Sequence, residues 1–256
     1  MDLTFYKYQG TGNDFVVLDN REQNIQLSQE QVAFLCDRRK GIGADGLMLL
    51  QEKEGYDFEM VYYNADGRVG SMCGNGGRCL VAFAQFLGVV EDQAYFIASD
   101  GPHKAFLKDG LVHLQMKDVD EVEDLATATF MNTGSPHYVK QVEALQDLDV
   151  FQEGRAIRYS GRFKAEGTNV NFVEHLSENK LFVRTYERGV EDETFSCGTG
   201  VTACALAASR AGYKSPVHIQ VLGGELQVSF EQEGQSFRNV FLIGPALQVF
   251  KGEISL

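Results

Sequence analysis

Two short segments hold the residues of this 256-residue chain best suited to proton chemistry, Cys73-Gly74-Asn75-Gly76 and Cys197-Gly198-Thr199-Gly200. They share the pattern C-G-x-G and lie 124 residues apart. Each opens a nearly uncharged run of helical length that stops at a glycine, Gly88 or Gly212, fifteen residues after the cysteine. Glycine is a usual residue just past a helix C-terminus. A cysteine immediately before a helix faces the N–H groups of the first turn and the positive end of the macrodipole, which make thiolate accessible near neutrality. The glycines after it let a carboxylate or phosphate approach the same N–H groups. For a single copy, a tight strand-to-helix turn with an incidental cysteine, or a phosphate loop, explains the pattern equally well.

Repetition changes the weighting. Thr11-Gly12 recurs as Thr133-Gly134, Ala44-Asp45-Gly46 as Ala165-Glu166-Gly167, and Phe58…Tyr62 as Phe182…Tyr186, in one order and at offsets of 121 to 124. These matches indicate an internal duplication. Two related halves about a pseudo-two-fold axis are expected to bring equivalent helix N-termini, and so two thiols, to opposite sides of one bound molecule. Opposed acid/base groups of equal type around a carboxylate-bearing carbon suit stereoinversion, with a proton removed from one face and one delivered to the other. Charge developing on the carboxylate would be stabilised at the helix N-termini. No cofactor is needed in principle.

The elements that must position these residues read as follows. Leu3 to Gln9 and Asp14 to Asp19 are expected as a strand pair, and Ser28 with Gln31 as a capping box before a short helix. Leu47 to Leu50 and Phe58 to Tyr63 read as strands, the latter ending at the turn Asn64-Ala65-Asp66-Gly67. Asn75 to Leu87, apolar or uncharged all round apart from Arg78 in its first turn, reads as an interior helix, and Thr199 to Ala211 repeats the arrangement with smaller side chains. Tyr95 to Ala98, a hairpin around Lys108-Asp109-Gly110, Val217 to Val221, Leu226 to Phe230 and Ser236 to Ile243 complete a strand-rich α+β pattern. The expected fold is two pseudo-symmetric domains, each a mostly antiparallel curled sheet around a central helix. Their expected extents are 1–117, carrying Cys73, and 118–245, carrying Cys197, with a C-terminal strand over 246–256 returning to the first.

Composition narrows the function classes. With 44% hydrophobic and 23% charged residues the chain can bury a sizeable core. Lys and Arg number 23 against 36 Asp and Glu, and the net charge of −13 argues against nucleic acid and against an anionic membrane surface. The uncharged run from Cys79 to Val90 is too short to span a bilayer, and no targeting segment is read at Met1-Asp2-Leu3-Thr4. Five cysteines, an odd number in a chain too long to need staples, point to a reducing compartment. The expectation is a soluble protein of a reducing compartment, without metal.

At these residues the sequence resembles the diaminopimelate epimerases over essentially its whole length. The resemblance is carried by Gly12-Asn13-Asp14-Phe15, Arg39-Lys40-Gly41-Ile42-Gly43-Ala44-Asp45-Gly46, Asn64-Ala65-Asp66-Gly67 and Cys73-Gly74-Asn75-Gly76-Gly77-Arg78-Cys79 in the first half. In the second it is carried by Pro136-His137, Gly167-Thr168-Asn169-Val170-Asn171-Phe172, Tyr186-Glu187-Arg188-Gly189 and Cys197-Gly198-Thr199-Gly200. It implies a cofactor-independent homodimeric enzyme of lysine and peptidoglycan-precursor synthesis that interconverts LL- and meso-diaminopimelate. By the same likeness Cys73 and Cys197 are the two bases, assisted by His137 and Glu187, the latter also holding the reacting ammonium. Gly74-Asn75 and Gly198-Thr199 match the N–H groups around the reacting carboxylate. Asn13, Asn64, Asn169 and Arg188 match substrate ligands, the last three at the distal amino-acid end. Two positions depart from some members, Gly46 where a Gln can stand and Ser135 where an Asn can stand.

Cys79 and Cys204 fall inside the two helices and read as packing residues, and Cys36 has no visible role. Three other chemistries fit part of the pattern. These are racemisation of another amino acid by the same two thiols, as in the related proline racemases, a thiol redox or metal-binding module, and a pyridoxal-phosphate enzyme. Arg188 with Asn64 and Asn169 favours a substrate with a second charged end over the first of these.

Overall fold

A computed structural model describes residues 1–256, which divide into two units, Met1–Leu114 with Gly244–Leu256, and Gln115–Ile243. The first opens with the antiparallel pair β1 (Asp2–Gly10) and β2 (Asn13–Asp19), turning at Thr11-Gly12, where both φ angles are positive. Ser28 and Gln31 close the anticipated capping box at the start of α1 (Gln29–Cys36). The chain returns as β3 (Gly46–Gln51), parallel to β2 because a helix intervenes, and β4 (Phe58–Asn64) folds back antiparallel to it. After α2 (Gly74–Phe86), β5 (Gln93–Ala98) lies parallel to β4 and leads into the meander of β6 (Gly101–Lys108) and β7 (Leu111–Gln115). Asp109 and Gly110, with φ of 53° and 75°, give the two-residue turn whose twist suits a hairpin.

The second unit repeats that order of pairings. A meander of β8 (Val122–Leu125), β9 (Ala128–Asn132) and β10 (Pro136–Gln141) precedes a helix, α3 (Val150–Arg158). Next come β11 (Asn169–Ser177), parallel to β10, β12 (Lys180–Glu187), antiparallel to β11, and the short β13 (Asp192–Thr194). After α4 (Gly198–Ser209), β14 (Val217–Val221) lies parallel to β12, followed by β15 (Gly224–Glu233) and β16 (Ser236–Gly244), each antiparallel to its predecessor. The last strand, β17 (Leu247–Ser255), belongs to the first unit and pairs antiparallel with β1 from Asp2↔Ser255 to Gln9↔Leu247.

In each unit the two parallel pairings flank an antiparallel one, and the remaining pairings are antiparallel. Helix α2 packs on β1, β2, β3, β6 and β17, strands from both ends of its sheet, and α4 packs likewise on strands from β9 to β15. Each sheet therefore curls around one interior helix, the α+β architecture expected from the sequence. The opposite face is covered by α1 or α3, so β2, β3 and the first half of β11 are buried on both faces. Strand periodicity then sorts their side chains. Val170 and Phe172 enter the cluster with Val150 of α3, while Asn169 and Asn171 point to the α4 side. Helix α3 was not anticipated, since its only buried residues are Val150 and Gly154 and it carries no apolar run. It is set by the Asp149 cap on the Gln152 N–H and by Gly154, where a Cβ would stand 2.4 Å from that of Tyr186. No helix is long and apolar enough to cross a membrane.

Candidate active site

Cys73 and Cys197 are the N-cap residues of α2 and α4, with extended backbones (φ −113° and −120°), and neither sulfur caps its helix. The first intrahelical bonds run from Gly77 N–H to the Cys73 carbonyl (2.7 Å) and from Val201 N–H to the Cys197 carbonyl (2.9 Å). The N–H groups of Gly74, Asn75 and Gly76, and of Gly198, Thr199 and Gly200, therefore have no acceptor within their helices. Such a turn offers a carboxylate several donors at the positive end of a dipole. Neither helix has an acidic residue in its first turn to compete.

Around Cys73 the first unit builds a polar relay. The thiol donates to Asn13 Oδ1 (3.6 Å), which also accepts from Asn75 Nδ2 (3.2 Å), and Asn13 Nδ2 donates to Asp45 (2.7 Å). Arg38 bridges Asp45 to Asp14, and Asp14 also pairs with Lys7 (2.7 Å). Burial acts to raise the Asp14 carboxyl, but the hydrogen bonds and charges of Arg38 and Lys7 outweigh it and hold it at about 2. Behind the relay Arg78 is fully buried, donating to Asn75 Oδ1, the Gly74 carbonyl and Thr11 Oγ1. Desolvation pulls its guanidinium down to about 10, still charged at neutrality. Asn64 ends β4 with an exposed side chain and starts the anticipated turn, its carbonyl accepting from Gly67 N–H (2.9 Å). At Gly46 a Cβ would lie 2.5 Å from the Tyr62 ring, so in this chain Tyr62 fills the space that a Gln would need.

The second unit assembles its predicted residues in two groups. Near Cys197, whose sulfur lies 3.6 Å from Thr199 Oγ1, the carbonyl of Thr199 accepts from Thr133 (2.8 Å). His137 is fully buried and meets Asn171 through Nδ1 (3.1 Å), and burial pushes it down to about 3. In the other group Ser135 Oγ accepts from Asn169 Nδ2 (2.9 Å) and Arg188 Nη2 (3.3 Å), while Asn169 Oδ1 takes the Arg188 N–H (2.9 Å). Ser135 is thus long enough to join the two residues expected at the distal end. The Glu166 carbonyl holds the other arm of the exposed Arg188 (3.1 Å). Half-buried Glu187 accepts from Thr194 (2.9 Å). Burial raises the thiols of Cys36, Cys79 and Cys204, the first two to about 11 and 12, which keeps all three protonated and inert.

Four residues of the site were given no role by the sequence reading. Asp45 and Arg78 support the Cys73 side, and Asn171 and Thr185 the Cys197 side. Asn171 was open to inference, since it lies two residues after Asn169 on a strand and so shares its face. Arg78 was not, because a lone arginine at a helix start reads as exposed.

Comparison with known proteins places this geometry. The family model described as diaminopimelate epimerase matches residues 5–127 and 129–249. A diaminopimelate epimerase of Flavobacterium psychrophilum is 51% identical, covering 98% of this chain and 100% of its own. That of Chlorobaculum tepidum is 43% identical over 96% of this chain and 99% of its own. Among solved structures, a Bacillus anthracis phenazine biosynthesis protein of the PhzF family superposes with a TM-score of 0.73 at 13% identity, with full coverage of both chains. A hydroxyproline epimerase from Agrobacterium vitis gives 0.71 at 14% identity, covering 100% of this chain and 93% of its own. At those identities the two structures share the fold alone, which removes support for a proline-type racemase. With a matching model over both halves and relatives aligned from end to end, the chain belongs to the diaminopimelate epimerase family.

Proposed function

We propose that this isomerase interconverts LL- and meso-2,6-diaminopimelate without a cofactor, one cysteine removing the α-proton as thiolate while the other, as thiol, delivers a proton to the opposite face. The observation that carries the reading is the pair of cysteines at equivalent N-cap positions of α2 and α4, neither using its sulfur to cap its own helix. Residues 1–117 with 246–256, and residues 118–245, are taken as the two lobes, each supplying one thiol. The N–H groups of Gly74-Asn75 and Gly198-Thr199 would hold the reacting carboxylate, where the charge of the carbanion develops. Glu187 would take the reacting ammonium. Asn64, Asn169 and Arg188 would read the distal head, and Asn13 would orient Asn75 and the thiol it already contacts. A homodimer working in the cytoplasm completes the reading.

The test is turnover of the single variants Cys73→Ala and Cys197→Ala. Each removes one positioned acid/base, and kcat should fall by at least about 100-fold in both directions. Near-normal epimerisation by either variant overturns the two-thiol assignment.

A further inference from the structure

Beneath the first turn of α4 lie three polar side chains that packing alone does not require. His137 and Asn171 are fully buried and Thr185 is 3% exposed. The ladders set them together, since His137 is paired with Asn169, two residues before Asn171, and Asn171 is paired with Thr185. In the first unit Phe15 is paired with Gly46, and Met48 with Tyr62. The corresponding places there hold Phe15, Met48 and Tyr62. The fold thus accepts apolar groups at two of these places, and burying polar ones is costly unless they are fully matched.

The hydrogen bonds fix the orientation of the central amide. Asn171 Nδ2 contacts the Tyr138 carbonyl (3.1 Å), which can only accept, so the nitrogen and not the oxygen is on that side. Its oxygen takes the Thr185 hydroxyl (3.0 Å). The second hydrogen of Nδ2 then points at His137 Nδ1 (3.1 Å), which must present a lone pair. A neutral imidazole accepting at Nδ1 carries its proton on Nε2. That atom is buried and has no hydrogen-bond partner. A Cβ built on Gly200 would lie 2.4 Å from Asn171 Oδ1 and 3.3 Å from the Cys197 sulfur, which measures how closely the trio underlies that cysteine.

We propose that Asn171, anchored by Thr185 and the Tyr138 carbonyl, is a positioning residue that locks neutral His137 in the Nε2–H tautomer. His137 then serves as a hydrogen-bond donor to negative charge forming at the Cys197 side, and not as a base. Burial, the largest influence, outweighs the Asn171 contact, which acts to raise the ring, and with the positive charge of Arg188 opposes its protonation, in keeping with a neutral donor. The role rests on the assignment of Cys197 as an acid/base group, whereas the tautomer does not.

Long-range 1H–15N NMR of the full-length protein with 15N-labelled histidine reads the tautomer directly. The His137 signals are identified, among those of five histidines, by their loss in His137→Gln. The expected result is protonation at Nε2 across pH 6 to 8, and protonation at Nδ1 or an imidazolium there overturns the tautomer. Asn171→Asp, equal in size, should move the proton to Nδ1 and lower kcat on the order of 10- to 100-fold with little change in KM. A moved proton with unchanged kcat overturns the positioning role and leaves the two-thiol reading standing. If Asn171→Asp does not fold, Thr185→Val should loosen the tautomer and slow turnover, with Thr185→Ser restoring both. Indifference to the valine overturns the anchor. The reading of Cys197 fails separately, through active Cys197→Ala.

Discussion

At the scale of single residues the site combines groups whose charge is fixed with one that is held neutral. Arg188 is the clearest specificity candidate, since a guanidinium fork matches a carboxylate bidentately and diaminopimelate carries a second amino-acid head. Its arms rest on Ser135 and the Glu166 carbonyl, neither of them a charge. Arg188→Lys should therefore lose about two decades of kcat/KM on diaminopimelate, the loss of a charge-assisted contact of roughly 3 kcal/mol. A substrate analogue without the distal head should lose little, and equal losses on both would mean that Arg188 organises the site instead of reading that end. His137 sets a pH dependence of stability. The unfolded chain takes up a proton there below about 6.5, whereas burial delays uptake in the folded state to about 3. The folded state binds fewer protons between these values, so the contribution is intact above the unfolded value and is lost as pH falls through the window. Its slope is about 1.4 kcal/mol per pH unit. Urea unfolding of the protein and of His137→Gln at pH 7, 6 and 5 should show the two stabilities converging with acid at that rate. Parallel curves would mean that the folded protein protonates His137.

At the scale of elements, α2 and α4 occupy the same place in their units but meet different floors. A Cβ at Gly76 would find the Met48 sulfur at 3.1 Å, the movable end of a flexible side chain. At Gly200 it would find the hydrogen-bonded Asn171 oxygen at 2.4 Å. Gly200→Ala should cost on the order of 1–3 kcal/mol in unfolding free energy and lower Tm. Gly76→Ala should be close to neutral, because the gain in helix propensity offsets a small shift of Met48. Equal destabilisation would show that the two floors are equally rigid. Legibility in the sequence divided along the same line. The capping box of α1, both interior helices with their terminal glycines and the Asp109-Gly110 hairpin were readable, because each is decided by local chemistry or by a run of residues. Helix α3 was not, since its position depends on a single close approach between Gly154 and Tyr186. The partner of Asn13 was equally hidden, because the pairing of β2 with β3 brings Asp45 to it from 32 residues away, and although Asn171 could be placed on the face of Asn169, its pairing with His137, 34 residues away, could not be read.

At the scale of the whole chain, the duplication visible in five matched segments has its counterpart in the repeated pairing order of the two units, parallel, antiparallel, parallel, with a helix between the strands of each parallel pair. The repeats have diverged where the chemistry differs. One cysteine meets Asn13, which Asn75 and a buried arginine support, whereas the helix turn after the other rests against an amide that holds a neutral histidine. Two unlike thiols suit a reaction in which one sulfur must be charged while the other is protonated, and in which the roles exchange when the reaction runs backwards. The central claim, inversion by two separate bases, is tested most directly by solvent isotope incorporation. Purified protein turns over LL-diaminopimelate in D2O, and both stereoisomers are analysed by mass before a tenth of the substrate has reacted. The account predicts one deuterium at the inverted carbon of every meso product molecule and none in the remaining LL substrate, because the thiol that delivers the proton has exchanged with solvent while the one that accepts it returns only protium. Deuterium entering the recovered substrate as fast as the product, or product retaining the original hydrogen, would mean that a single base works both faces and would contradict it.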